Sequence, residues 1–167
     1  MGIHGTSSTN RETRMANSGR TLESAARYAR GGGSPAPDHD SDHATRTKRV
    51  EIEQRRLIQW AEENKKLGRS HRLPLEFGRG GEHQVYFQKS AKRHLKLTLL
   101  ERQLGYGIAP GSHIRGATPS EYLDRLDLQN QIFNDDIRLE RIILKKNKPM
   151  ILTSQPFIKS VQLRRRC

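Results

Sequence analysis

The stretch Gly78-Arg79-Gly80-Gly81-Glu82-His83-Gln84-Val85-Tyr86-Phe87-Gln88, continued by Lys89-Ser90-Ala91-Lys92-Arg93 and His94-Leu95-Lys96-Leu97-Thr98-Leu99, decides how this chain folds. Gln84 to Gln88 and His94 to Leu99 read as strands joined by a polar turn. Leu95, Leu97 and Leu99 fall on one side of the second strand, and His94, Lys96 and Thr98 on the other. Leu73-Pro74-Leu75-Glu76-Phe77 reads as a short strand entering the glycine-rich bend.

Downstream comes a connection that is long for a compact domain, with Gly105, Gly107, Gly111 and Gly116. Thr118-Pro119-Ser120-Glu121 is a helix start: Thr118 caps, Pro119 suits the first turn, and Glu121 completes a capping box. The helix is expected to run to about Phe133, with Tyr122, Leu123, Leu126, Asn130 and Phe133 on one face. Ile137 to Leu144 and Met150 to Gln155 then read as a hairpin that Pro156 stops. Strand, strand, strand, helix, strand, strand predicts an α+β domain: an antiparallel sheet of about five strands with one crossing helix.

Upstream, Val50, Leu57, Ile58, Ala61 and Leu67, with Trp60 near them, make an apolar stripe on an amphipathic helix that Gly68 ends. Residues 1–44 are polar and interrupted by Gly31-Gly32-Gly33-Ser34-Pro35-Ala36-Pro37, which predicts a disordered tail. The expected organisation is a tail over 1–44, a helix over 45–68, a sheet domain over 72–160 and a basic tail over 161–167.

The 167 residues carry 31 Lys+Arg against 18 Asp+Glu, a formal charge of +13, and only 32% of them are hydrophobic. That balance suits phosphate-bearing partners, nucleic acid included. Arginine outnumbers lysine 21 to 10 and is spread along the chain, with no nucleic-acid-binding signature. No apolar run approaches the roughly 18 residues that span a bilayer, so no membrane partner is expected. The single cysteine, Cys167, excludes a disulfide framework and a cysteine zinc site, and a cytoplasmic protein is expected. Met1-Gly2-Ile3-His4-Gly5-Thr6 fits the short myristoylation pattern. His39 and His43, four apart among aspartates, read as solvated tail, and no metal site is assigned.

The chemistry gathers at the bend. Gly78, Gly80 and Gly81 leave backbone free to approach phosphates, and Val85 is placed to cover a nucleotide base. Lys96, mid-strand and opposite the leucines, is placed to reach α- and β-phosphates. Taken alone, such a bend is more often an ordinary hairpin turn.

Gly80-Gly81-Glu82-His83-Gln84-Val85-Tyr86-Phe87, Leu95-Lys96-Leu97-Thr98, Thr118-Pro119-Ser120-Glu121-Tyr122-Leu123, Asn134-Asp135-Asp136-Ile137-Arg138-Leu139-Glu140 and Thr153-Ser154-Gln155-Pro156-Phe157-Ile158 occur in this order. Together they resemble the first half of the kinase-like domain of bacterial polyvalent proteins, large modular proteins of phages and conjugative elements. The resemblance covers about residues 52–159 and implies an N-terminal lobe of protein-kinase type holding ATP with Mg. It implies phosphates cradled by Gly78, Gly80 and Gly81, Lys96 on the α/β-phosphates, and the backbone around Ser154 and Gln155 on the adenine edge. A helix carboxylate is expected to pair with Lys96, with Glu121, Asp124 and Asp127 as candidates. His94 departs from the small residue expected two before the lysine and is expected to crowd the adenine pocket.

The parts that transfer phosphate are missing: there is no H-R-D-x-x-x-x-N and no D-F-G in the chain. Asp135-Asp136 reads as a turn pair rather than a magnesium pair, so no catalytic residue and no metal ligand are assigned. The leading expectation is a truncated, pseudokinase-like N-lobe with weak ATP binding, not catalytic alone, with a second chain supplying the other lobe. Two alternatives stand beside it. One is a basic nucleic-acid-binding protein of a mobile element using the tail and helix 45–67; the other is a protein-interaction module docking through that helix.

Overall fold

The structure is a computed structural model that describes residues 7–33, 43–69, 73–74, 76–100, 105–107 and 116–157. Two helices come first, α1 (Ser7–Arg30) and α2 (His43–Glu63), followed by a two-residue strand β1 (Leu67–Gly68). Strands β2 (Glu76–Arg79), β3 (His83–Gln88) and β4 (Arg93–Thr98) follow, then α3 (Pro119–Phe133), β5 (Arg138–Lys145) and β6 (Lys148–Pro156). The strands form one sheet in the order β1-β5-β6-β4-β3-β2.

This is an α+β fold with three helices and a mixed six-stranded sheet, which corrects the expectation of about five antiparallel strands with one crossing helix and one preceding amphipathic helix. The sixth strand, β1, runs parallel to β5 and pairs Leu67 with Ile142 and Gly68 with Ile143. Two residues are too few to show a period, so only the neighbouring strand reveals it. Gly68 allows the approach, because a Cβ there would lie 2.6 Å from Arg141 Cδ.

The second correction concerns residues 7–30, expected as tail and found as a 24-residue helix. Leu22, Ala25, Ala26 and Ala29 are fully buried at helical spacing. They pack with Leu57, Trp60 and Ala61 of α2, Tyr122 and Leu123 of α3, and Leu139, Ile142 and Ile151 of the sheet. A stripe made mostly of alanine carries little hydropathy, yet its small side chains let three helices approach closely. Burying Leu22 and Leu57 contributes about 1.5–3 kcal/mol each. Leu57, Trp60 and Ala61 of the α2 stripe are thereby enclosed in the protein's own core, while Val50 and Ile58 are part-exposed and Ile52 is exposed.

The opposite face of the sheet carries a smaller cluster of Tyr86, Leu95, Leu97, Ile143, Met150 and Leu152. Local signals explain the remaining elements. The Thr118 side chain accepts from the Glu121 backbone N–H, and the Glu121 carboxylate accepts from the Thr118 N–H, so the capping box is complete. Asn134 ends α3 in the left-handed region, and Asn130 clamps the Ile137 backbone through both amide atoms, at 2.8 and 2.7 Å. Lys146 and Asn147, both with positive φ, turn β5 tightly into β6. Among the described residues no helix is long and apolar enough to cross a membrane. The myristoylation pattern, His39 with its aspartates, Gly111 and the basic stretch 161–167 lie outside the described residues.

Candidate functional site around Lys96

Register places the expected residues. Lys96 stands opposite Val85 on β3 and Thr153 on β6, and His83 stands opposite Thr98. By alternation, Val85, Lys96 and Thr153 share one face of the sheet with His83, Thr98 and Ile151. Ile151 belongs to the core beneath α3, so Lys96 lies on the helix-bearing face beside the glycine hairpin.

The Lys96 side chain is half-buried. Burial pulls its pKa below the usual lysine value, while Asp135 and Glu82 partly restore it. Among the described residues no carboxylate lies within ion-pair distance of its Nζ. The three expected partners are engaged elsewhere, which corrects that expectation. Glu121 accepts from Arg46 at 2.7 Å, Asp124 accepts from Arg30, and Asp127 accepts from Gln131 at 2.9 Å. For Glu121 and Asp124 the physical reason is the pair of N-terminal helices, whose arginines reach α3; Asp127 is held by Gln131 one turn along α3 itself.

His83 adds a group to which the sequence alone assigned no role. Its Nε2 lies 2.8 Å from the buried Tyr122 hydroxyl. Burial drives the His83 pKa down to about 4; Glu82 opposes this, while Lys96 and Arg125 assist. Tyr122 is pushed up to about 12, chiefly by burial, with Thr153 opposing the shift. The Arg125 guanidinium lies 5.3 Å from the Tyr122 ring centroid and pairs with Glu82 at 3.4 Å. Lys96 is therefore bordered by a neutral imidazole, two hydroxyls and the carboxylates of Glu82 and Asp135. Such a set can take an anion on Lys96 only where the anion outweighs those carboxylates.

The glycine bend is a tight hairpin. The Gly80 N–H donates to the His83 carbonyl at 2.8 Å, and Gly78 pairs with Val85. None of Gly78, Gly80 and Gly81 takes a positive φ, so here the glycines serve no left-handed turn. Space around Gly78 and Gly81 is open, with nothing within 4 Å of an added Cβ. The bend thus leaves room above the strands while using one of its N–H groups internally.

Ser154 departs from the expected adenine role. Its carbonyl accepts from Arg93 at 3.1 Å and its hydroxyl accepts from the same guanidinium at 2.8 Å. It pairs with Leu95, on the face opposite Lys96. Gln155 pairs with His94 and falls on the Lys96 face. There His94 sits among Phe77, Phe87 and Phe157, with ring centroids 5.2–5.6 Å away. That His94 shares the Lys96 face was legible from alternation, whereas its contacts with Phe77 and Phe157 needed the sheet order.

Asp135 and Asp136 diverge. Asp136 receives Arg93 at 2.9 Å and Arg138 at 2.6 Å, whereas Asp135 accepts from Gln129 and contributes its charge near Lys96. Among the described residues no group of three or more His, Cys, Asp or Glu side chains converges as a metal site.

The fold and site define an α+β protein with a helix layer on one sheet face and a half-buried lysine beside a glycine hairpin. Comparison with known proteins finds no family model, no curated protein and no solved structure that matches the chain.

Proposed function

We propose that this chain is a kinase-type N-lobe module that binds a nucleotide weakly at Lys96 and does not transfer phosphate on its own. The observation that carries the reading is Lys96 itself: half-buried on the helix-bearing face, registered with Val85, next to the glycine hairpin and without an ion pair among the described residues. The order of glycine hairpin, lysine strand, capped helix and closing hairpin within one sheet supports it. The aromatic cluster around His94 argues for weak affinity, because a base has to displace or stack upon rings already in mutual contact. Absence of an H-R-D or D-F-G segment from the 167 residues supports a binding role rather than catalysis.

Titration of ATP–Mg into the wild-type chain and Lys96→Ala tests the reading. Saturable binding that Lys96→Ala weakens about tenfold or more is expected, the scale of one lost charge-assisted contact to phosphate. Equal binding in both, or none in either, removes the nucleotide role. Phosphate transfer by the purified chain would contradict the non-catalytic part.

A further inference from the structure

We infer that the groove between α1 and α2 is a second anion site, built to take an oligophosphate, and independent of Lys96. The groove is open to solvent, spans about 620 Å³ and is lined by three arginines, Arg20 and Arg27 from α1 and Arg56 from α2. A single carboxylate, Glu23, lines it with them and pairs with Arg27. Formal charge on the lining is therefore positive by two. Arg20 and Arg27 are seven residues apart, two helical turns or about 10 Å along one side of α1. That span exceeds a single phosphate and suits linked ones.

The end of α1 sets the third arginine. Gly31 and Gly32, both with positive φ, close the helix: Gly32 N–H donates to the Arg27 carbonyl at 2.9 Å and Gly31 N–H to that of Tyr28 at 3.0 Å. A Cβ on Gly31 would overlap the Arg56 guanidinium, so the glycine admits Arg56 to the helix end. Arg56 donates one N–H to the Arg30 carbonyl at 3.2 Å. Its other donors, and the whole Arg20 guanidinium, have no partner among the described residues. Planar guanidinium groups with unused donors are the side chains best matched to phosphate oxygens.

Neutral donors complete the lining. Ser24 Oγ accepts from the Trp60 indole N–H at 3.2 Å, which leaves its own hydroxyl proton for a ligand. Glu63, outside the lining, accepts from the lining residues Tyr28 and Gln59 at 2.9 and 3.0 Å; its charge offsets one arginine and leaves a net charge of plus one over the groove and its edge.

Trp60 is the chain's single tryptophan and touches the groove through Ser24, so its emission reports occupancy. Sodium pyrophosphate is titrated at constant ionic strength, with heat of binding read in parallel. A saturable response is expected. Arg20→Ala with Arg27→Ala together should weaken it about tenfold or more, with Arg56→Lys weakening it less. The Trp60 emission change should keep its midpoint in Lys96→Ala, even where pyrophosphate held at Lys96 adds a heat of its own, which separates this site from the proposed nucleotide site. An unsaturable response, an unchanged midpoint in the double variant, or loss of the emission change in Lys96→Ala would overturn the assignment. Competition by a single-stranded oligothymidylate identifies a nucleic-acid backbone as the source of the phosphates, and failure to compete identifies a free oligophosphate. The double variant replaces two exposed or part-exposed side chains, and an unchanged melting temperature checks that it folds.

Discussion

Arg46 of α2 donates to the Glu121 carboxylate across 2.7 Å, and the same guanidinium holds the Gly116 carbonyl at 2.7 Å. It thereby ties α2 to the capped start of α3 and to the chain entering it. The Arg46 side chain is only 9% exposed, so solvent cannot replace these contacts.

Arg46→Met is expected to destabilise the fold by about 3 kcal/mol, because it strands the Gly116 carbonyl and leaves the part-buried Glu121 carboxylate with Arg49 only at 3.9 Å and the Thr118 N–H. For a chain of this size that lowers the melting temperature by roughly 6–12 °C. Glu121→Gln keeps an acceptor for the Thr118 N–H and should cost less. Thermal melts of the two variants check the order; a larger loss in Glu121→Gln would contradict it.

His83 predicts a pH dependence. Its folded pKa of about 4 lies below the ordinary value of 6.5, so between these values the unfolded chain binds more protons. The stability it contributes is complete above pH 6.5 and is lost as pH falls towards 4. After discounting for partial exposure, the loss is about 1–2 kcal/mol. Chemical denaturation at pH 7 and pH 5 should show it, and His83→Gln should flatten that difference. A wild-type curve level across this window contradicts a buried neutral imidazole.

Leu22→Ala tests whether α1 belongs to the core. Leu22 is fully buried against α2 and α3, so its truncation should cost about 2–5 kcal/mol. Thr21→Ala, one position along, loses a hydroxyl contact to the Asn17 carbonyl at 2.9 Å and should cost about 1 kcal/mol or less. Equal small losses at both positions would mean that α1 is not packed on the fold.

Gly31→Ala and Gly32→Ala separate backbone strain from crowding. Both glycines have φ near +90°, and each substitution should cost about 1–2 kcal/mol for the left-handed conformation. Only at Gly31 does the new Cβ meet Arg56, whereas nothing lies within 4 Å at Gly32. Gly31→Ala should therefore be the worse, and it should also weaken pyrophosphate binding in the groove. Denaturation midpoints that rank the two the other way would contradict the close approach of Arg56.

Much of the sheet was legible from residue order alone. The alternation in His94-Leu95-Lys96-Leu97-Thr98-Leu99, the Thr118–Glu121 box and the polar Lys145–Pro149 turn are local signals, complete within a few residues. They sufficed to place β3, β4, α3, β5 and β6 within a residue or two, and to put Lys96 and the leucines on opposite faces. The presence of His94 on the Lys96 face also followed from alternation alone.

Tertiary structure alone decided the rest, because each remaining feature joins residues far apart in the chain. Residues 7–30 are helical in a context that supplies Leu57, Trp60 and Tyr122 to cover an alanine stripe too weakly apolar to announce itself. Strand β1 exists through its pairing with Ile142 and Ile143. Glu121 and Asp124 face Arg46 and Arg30, set 75 and 94 residues away, so no local pattern shows that they are withheld from Lys96. The arginine groove has the same origin: periodicity aligns Arg20 with Arg27, but Arg56 joins them only where α2 crosses the glycine end of α1.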